Sequence, residues 1–267
     1  MNKQNRKDVY ALYSMCRHAD DIVDLDAVND KKQAKEQLNQ FKEDVVDAIT
    51  NKFGNTDLLN AISETWNRLQ VDMEYIDRFF TSMEMDITVS RYETFEDLML
   101  YMDGSAAVIG EMILPILVQD KHEHENLRES ARSLGIGFQL TNFIRDISED
   151  LERGRIYIPM EDFKKYEVNP DNIIYNDNFI NMLKFNVERT KGFYFDAYPG
   201  VQKLSGRRAA CVRTAYRLYG GILSKVIDKN YNVLAGRAVV KTPVKAGVAV
   251  KELLRPNKNT FAINNFI

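Results

Sequence analysis

QLTNFIRDISEDLERGR, from Gln139 to Arg155, carries two helical stripes within one stretch. Ile136, Leu140, Phe143, Ile144, Ile147 and Leu151 recur at the spacing that gives a helix one apolar face. Gln139, Asn142, Asp146, Asp150 and Arg153 recur at the same period on a different face. Four residues along an α-helix return to within about 40° of the start, so Asp146 and Asp150 are expected one above the other, roughly 6 Å apart. Arg145 and Glu149 make a second such pair on the flank. Stacked carboxylates repel unless something positive lies between them, and a hard divalent cation with a preference for oxygen is the natural candidate. The plainer alternative is a solvated acidic turn with one Arg145–Glu149 ion pair.

The N-terminal stretch repeats the arrangement. Tyr10, Tyr13, Arg17, Asp20 and Asp24 share one helical stripe, and Val9, Leu12, Cys16, Ala19 and Val23 form an apolar stripe beside it. Asp21 adds a third carboxylate. An exposed helix would interleave lysines with such acids for i,i+4 support, and Asp20-Asp21-Ile22-Val23-Asp24 has none. One acidic pair is a weak signal of a metal site; two, each on a stripe with a preceding arginine and polar aromatics or amides, is a stronger one.

Elsewhere helical periodicity dominates. Helices are expected at about 6–26, 32–52, 56–70, 72–90, 95–118, 125–152, 172–197, 205–230 and 243–254. Asn51–Asn55 and Tyr198-Pro199-Gly200 punctuate two of the gaps. With only 6 Pro, 13 Gly and no hairpin pattern, the 267 residues read as one all-α domain, 1–267. A formal charge of −3 gives no electrostatic case for nucleic acid. Cys16 and Cys211 are too few for a disulfide scaffold. No secretory leader pattern opens the chain, and the apolar run Ala106–Val118 is interrupted by Glu111 and Pro115, so a cytoplasmic protein is expected. His122 and His124 lie about 200° apart on a helix and read as a solvated turn rather than a metal site. Trp66 reads as core. The segment from Lys241 to Lys258 sets Lys241, Lys245, Lys251, Arg255 and Lys258 among Val and Leu, which suits a solvated helix or a peripheral contact with an anionic membrane.

CRHADDIVD (Cys16 to Asp24) and NFIRDISEDLERGRIYIP (Asn142 to Pro159) resemble the two aspartate-rich motifs of the squalene/phytoene synthase family. YMDGSAAVIGEMILPIL (Tyr101 to Leu117) resembles the segment between them, closer in wording to phytoene synthases. The resemblance spans about residues 6 to 250. It implies the isoprenoid synthase fold, an all-α bundle around a deep central cavity with the aspartate motifs facing each other at its mouth. It also implies an Mg²⁺-dependent (or Mn²⁺-dependent) prenyltransferase that joins two prenyl diphosphates head to head, without NADPH when phytoene is the product.

By that resemblance Asp20 and Asp24 bind metal on one side and Asp146 and Asp150 on the other, with Asp21 and Glu149 as auxiliary ligands. Arg17, Arg145 and Arg237 donate to diphosphate oxygens, and Tyr13, Gln139, Asn142 and Tyr219 stand at the diphosphate or the reacting carbons. Met99, Met102, Val108, Ile109, Met112 and Leu114 can hold prenyl tails or simply pack as core. Gly104, Ser105, Ala106, Ala107, Gly110, Gly135 and Gly137 either let helices approach or leave room for substrate. Family members usually begin with a further helix ending in a Leu-Pro turn, and this sequence starts just beyond it; a form without that helix is expected to turn over slowly and leak prenyl alcohol. The alternatives are a dehydrosqualene or squalene synthase using farnesyl diphosphate, and a non-catalytic synthase-like binding module. A terpene cyclase is excluded, because neither Asn142 nor Asp146 has Ser or Thr in the required place of the second cyclase motif.

Overall fold

The computed structural model describes residues 2–26 and 30–254. Its described chain is a succession of helices: α1 (Lys3–Asp21), α2 (Lys31–Asn51), α3 (Asp57–Leu69), α4 (Glu74–Thr88), α5 (Phe95–Met102), α6 (Val108–Leu117), α7 (His122–Arg145), α8 (Ile147–Glu152), α9 (Met160–Lys165), α10 (Asp177–Lys203), α11 (Gly206–Asp228) and α12 (Thr242–Leu254). Two π-helical turns are set among them, Ile22–Asp26 after α1 and Asp103–Ala107 between α5 and α6. Among the described residues the β-structure is one isolated bridge between Arg91 and Ile156.

Local chemistry accounts for many of the ends. Asp30, Thr56 and Asn176 accept hydrogen bonds from backbone N–H groups of the first turns of α2, α3 and α10. Lys52 and Gln70 close α2 and α3 in the left-handed conformation. The departures from the sequence reading are equally physical. Tyr198-Pro199-Gly200 does not end a helix: α10 runs through it to Lys203, with Pro199 inside. The start of that helix lies at Asp177 rather than 172, set by the Asn176 cap. The short α9 was not expected, and neither was the break of the central helix at Asp146.

Contacts divide the chain into two compact units. The first comprises Met1–Val89 and Leu100–Arg128. Its core gathers Leu12, Met15, Ala19, Leu38, Phe41, Val45, Trp66, Phe79, Phe80, Met83, Val108 and Met112. The apolar stripe of α1 is therefore an inward face. On the neighbouring stripe, that of Arg17 and Asp20, Tyr10 and Tyr13 are exposed. The second unit comprises Ser90–Met99 and Glu129–Ile267, and its core gathers Ile144, Ile147, Ile156, Phe163, Phe179, Leu183, Tyr194, Tyr216, Leu223 and Val226.

Within the first unit, buried charge is tied down by arginine. Arg78 donates two hydrogen bonds to Asp103 (2.7 and 2.8 Å) and pairs with the buried Glu111 at 2.8 Å; Arg128 pairs with Glu111 from the other side. Phe95–Leu117 is long and apolar enough by composition to cross a bilayer, but over half of its most apolar 18-residue stretch is buried inside the fold, and the buried Glu111 is held there by arginines. Gly104 explains part of the run of small residues. A Cβ there would stand 1.9 Å from the Arg78 carbonyl oxygen and 2.4 Å from Ser82 Oγ, so glycine at this position serves close helix approach. Gly137 lies in ordinary contact range of Tyr194.

Gly104→Ala should therefore lower stability by about 2 kcal/mol, the usual scale of overpacking. Gly192→Ala, on α10 with nothing within 4 Å of its new methyl, should raise it by about 0.5–1 kcal/mol. Urea unfolding of both variants checks this; an unchanged Gly104→Ala midpoint would show that α4 yields freely.

Candidate active site

The acidic residues of α1 and its π-turn lie in the first unit. Arg17 forms an ion pair with Asp21 at 2.5 Å on the surface. Asp20 is half-buried, and burial, then the charges of Asp24 and Asp86, push its carboxyl up to about 6 against the opposing pull of Arg17. Asp86 belongs to this group although sequence reading missed it. It is buried on α4 and accepts a hydrogen bond from the Tyr101 hydroxyl at 2.9 Å. The signal was present: Asp86 stands in register with the inward positions Phe79, Ser82 and Met83, where an acid is out of place without a partner. Cys16 is pushed up to about 12 by burial and by Asp20, and stays a thiol.

The second acidic group lies in the second unit. Here the expected uninterrupted helix is corrected. Asp146 takes φ −103° and ψ 11°, ending α7 and preceding α8, although its carbonyl still accepts the Asp150 N–H at 2.9 Å. The expected Arg145–Glu149 pair is corrected as well. Arg145 turns back on Asp146, with Nε 2.7 Å and a terminal nitrogen 2.5 Å from its oxygens. Arg237 grips the same carboxylate from the loop after α11, at 2.6 and 2.9 Å, and also reaches Glu149 at 3.2 Å. Two bidentate guanidiniums on one carboxylate are the strongest pairing available to it.

The two aspartates differ sharply in charge as a result. Burial opposes ionisation of Asp146, yet the hydrogen bonds and charges of Arg145 and Arg237 outweigh it and hold the carboxyl below the ordinary range. At Asp150 burial and the Asp146 charge prevail over Arg153 and Arg155, and the carboxyl rises to about 7. Asp150 lines a small, largely apolar cleft with Phe143, Ile147, Tyr157 and Phe163. Asn142, one turn before Asp146, has its Oδ1 buried with no hydrogen-bond partner. Gln139 is half-buried on the same face, and Tyr219 stacks on Phe138 with centroids 4.3 Å apart.

The residues expected to hold prenyl tails are mostly interior. Met102, Val108, Met112 and Leu114 are buried, and Ile109 packs against the core of the first unit. The turn expected at His122 and His124 is corrected: both stand in the first turn of α7, with His122 exposed and His124 Nε2 2.9 Å from the Val118 carbonyl oxygen. Trp66 is core. Among the described residues no three His, Cys, Asp or Glu side chains converge closely enough to hold a metal ion as they stand.

With this geometry in hand the class is plain: the backbone is that of the all-α head-to-head synthases. It superposes on a dehydrosqualene synthase with TM-score 0.84 at 23% identity, covering 94% of this chain and 87% of that one. It also matches squalene synthase HpnC from Alicyclobacillus acidocaldarius with TM-score 0.76 at 25% identity, covering 87% and 86%. The sequence model for squalene/phytoene synthase matches residues 1–243. Similar proteins include a 15-cis-phytoene synthase of Synechocystis sp., 31% identical over 92% of this chain and 75% of the relative. Another is the chloroplastic phytoene synthase 2 of Solanum lycopersicum, 31% identical over 97% and 86%. The chain belongs to the squalene/phytoene synthase family.

The raised carboxyls carry a pH signature. Asp20 and Asp150 bind protons more tightly in the folded chain than in an unfolded one, where aspartate titrates near 4. Stability from this source is complete below pH 4 and is lost as pH rises through about 6 and about 7. The metal-free protein should thus melt at lower temperature at pH 8 than at pH 5. Asp20→Asn combined with Asp150→Asn should flatten that fall, and an equally steep profile in the double variant would assign it to other groups.

Proposed function

We propose that the protein is a prenyltransferase that condenses two geranylgeranyl diphosphates head to head into phytoene, through a cyclopropylcarbinyl diphosphate and with loss of both diphosphates. The observation that supports this best is the Asp146 cluster, where carboxylates for a cation and guanidiniums for phosphate oxygens are held together. The family and the phytoene synthases among its relatives favour the C20 substrate.

The donor set fits a hard divalent cation. Each acidic motif by itself offers carboxylate oxygen: Asp20 and Asp24 with Asp21 beside them in the first unit, and Asp146 and Asp150 with Glu149 beside them in the second. The buried, unpaired Oδ1 of Asn142 is a further oxygen awaiting a partner. Magnesium, when bound, neutralises the diphosphate and assists its departure as a Lewis acid. For Asp146 to serve a cation, Arg145 and Arg237 must release it; their fork-shaped donors are then available to diphosphate oxygens. Arg17 supplies the same chemistry beside the first motif, and Tyr13, Gln139 and Tyr219 border the reacting groups. Asp150 must lose its proton before it can ligate, so metal binding should release protons near neutral pH.

Turnover should require Mg²⁺ or Mn²⁺, stop in EDTA and not be rescued by Zn²⁺. Asp150→Asn and Asp146→Asn should each reduce turnover at least a hundredfold, a loss of about 3 kcal/mol or more in transition-state stabilisation. Their stabilities should differ: metal-free Asp150→Asn should melt at or above the parent at pH 8. Asp146→Asn, which leaves two guanidiniums without their carboxylate, should lose about 1–2 kcal/mol. Incubation with geranylgeranyl or farnesyl diphosphate and Mg²⁺, with and without NADPH, followed by product mass analysis, fixes the substrate. A C30 hydrocarbon from farnesyl diphosphate as the main product would replace phytoene with dehydrosqualene or squalene, and full turnover in chelator would end the metal mechanism.

A further inference from the structure

Arg237 is carried by a loop whose tip has little packing of its own. Val233 and Ala238 are buried on either side of the tip, but Ala235 and Gly236 are exposed, and a methyl on Gly236 would meet nothing within 4 Å. The base of the loop is fixed by local bonds. Asn230 and Tyr231 take φ 51° and 62°. The Tyr175 hydroxyl donates to the Asn230 carbonyl and accepts from the Asn230 side-chain amide, each at 3.0 Å. Asn232 Oδ1 accepts the Ala235 N–H at 3.1 Å.

Lys229, the residue that caps the end of α11, closes the tip. Its Nζ donates to the Gly236 carbonyl at 2.9 Å and to the Arg237 carbonyl at 3.1 Å. Those two oxygens belong to the peptide planes on either side of the Arg237 Cα. Peptide planes are rigid, so holding both sets the direction in which the Arg237 side chain leaves the backbone. Gly236 permits this path with φ 123°, a conformation that residues with a Cβ rarely adopt. The guanidinium then meets Asp146 at 2.6 and 2.9 Å and Glu149 at 3.2 Å.

We propose that Lys229 is a positioning residue for Arg237. Its ammonium pins the loop backbone, so the guanidinium passes from Asp146 to a diphosphate oxygen by turning its side chain alone. This rests on the reading of Arg237 as a diphosphate donor. An arginine on an unpinned loop must be ordered at each encounter, which weakens binding; pinning meets that cost in advance. Lys229 touches no substrate in this scheme and acts through Arg237.

The test is calorimetry of the full chain with Mg²⁺ and inorganic pyrophosphate. Lys229→Met should weaken binding about tenfold, the scale of one charged hydrogen bond. Lys229→Arg, which keeps a cationic donor, should recover most of the loss. Gly236→Ala, which has room for its methyl but not the backbone angle, should reproduce it. Lys225→Met removes the same charge from the same helix end, where it holds only Asp228, and should stay within about twofold of the parent. With Arg237→Ala already present, Lys229→Met should add less than about twofold, whereas a general structural effect or a direct phosphate contact would add its full factor. In the ligand-free protein the Arg237 Nε–H, bonded to Asp146, should exchange with solvent at least about tenfold faster in Lys229→Met. Parental pyrophosphate affinity in Lys229→Met, full additivity with Arg237→Ala, or unchanged Nε–H exchange would overturn the proposal. A parent that neither binds pyrophosphate nor turns over would sink the synthase reading instead, and the Nε–H exchange would still decide whether Lys229 holds Arg237 in place.

Discussion

Burying a carboxylate is expensive unless a cation or hydrogen bonds meet it, and the way this chain answers that demand organises the whole molecule. Asp8 is met by Arg68, Glu111 by Arg78 and Arg128, Asp162 by Arg189, and Glu252 by Arg213 and Arg217. Each of these acids is at most 5% exposed, and each links helices far apart in sequence. Where arginine suffices, the result is a structural clamp. At Asp20 and Asp150 the nearby arginines do not suffice: the carboxyls remain well above their ordinary range, crowded by other acids. Such under-compensated groups are where a protein retains chemistry, because an added cation gains most there. Asp146 stands between the two cases, clamped by arginines yet adjacent to Asp150 and Glu149.

That balance explains which features were legible in the sequence. The stripe through Ile136, Leu140, Phe143, Ile144 and Ile147 declared its helical face, and all five side chains are buried. The acidic pairs were visible because no lysines were interleaved with them. Asp86 was passed over because a single acid in an apolar run looks like an exposed exception; only the packing of α4 shows that it faces inward toward Tyr101 and the Asp20 group. The partner of Asp146 could not be read at all. Periodicity favoured Arg145 with Glu149, but the backbone bends at Asp146 and Arg237, ninety-one residues away, supplies the second guanidinium.

Helix ends were legible where a side chain makes them and obscure where tertiary packing does. Asn176 and Thr56 announce their caps. Pro199 looked like a terminator, yet α10 continues through it, as a long helix can when packing on both sides holds the backbone in place. The run of small residues from Gly104 posed a choice between substrate space and helix approach. The carbonyl of Arg78 decides it at Gly104, and no one-dimensional pattern could have placed that atom.

The π-turn at Asp103–Ala107 has a consequence for how this segment can change over evolution. Such a turn accommodates a residue beyond the α-helical count, and one residue of an α-helix corresponds to about 100° of rotation. The turn therefore acts as a phase shifter between α5, which aims Tyr101 at Asp86, and α6, which aims Glu111 at Arg78. Deleting a single residue there would restore an ordinary helix and swing one of these two groups to the wrong side. Insertions and deletions should accordingly be rare between Tyr101 and Glu111, even where the identities of the intervening residues drift.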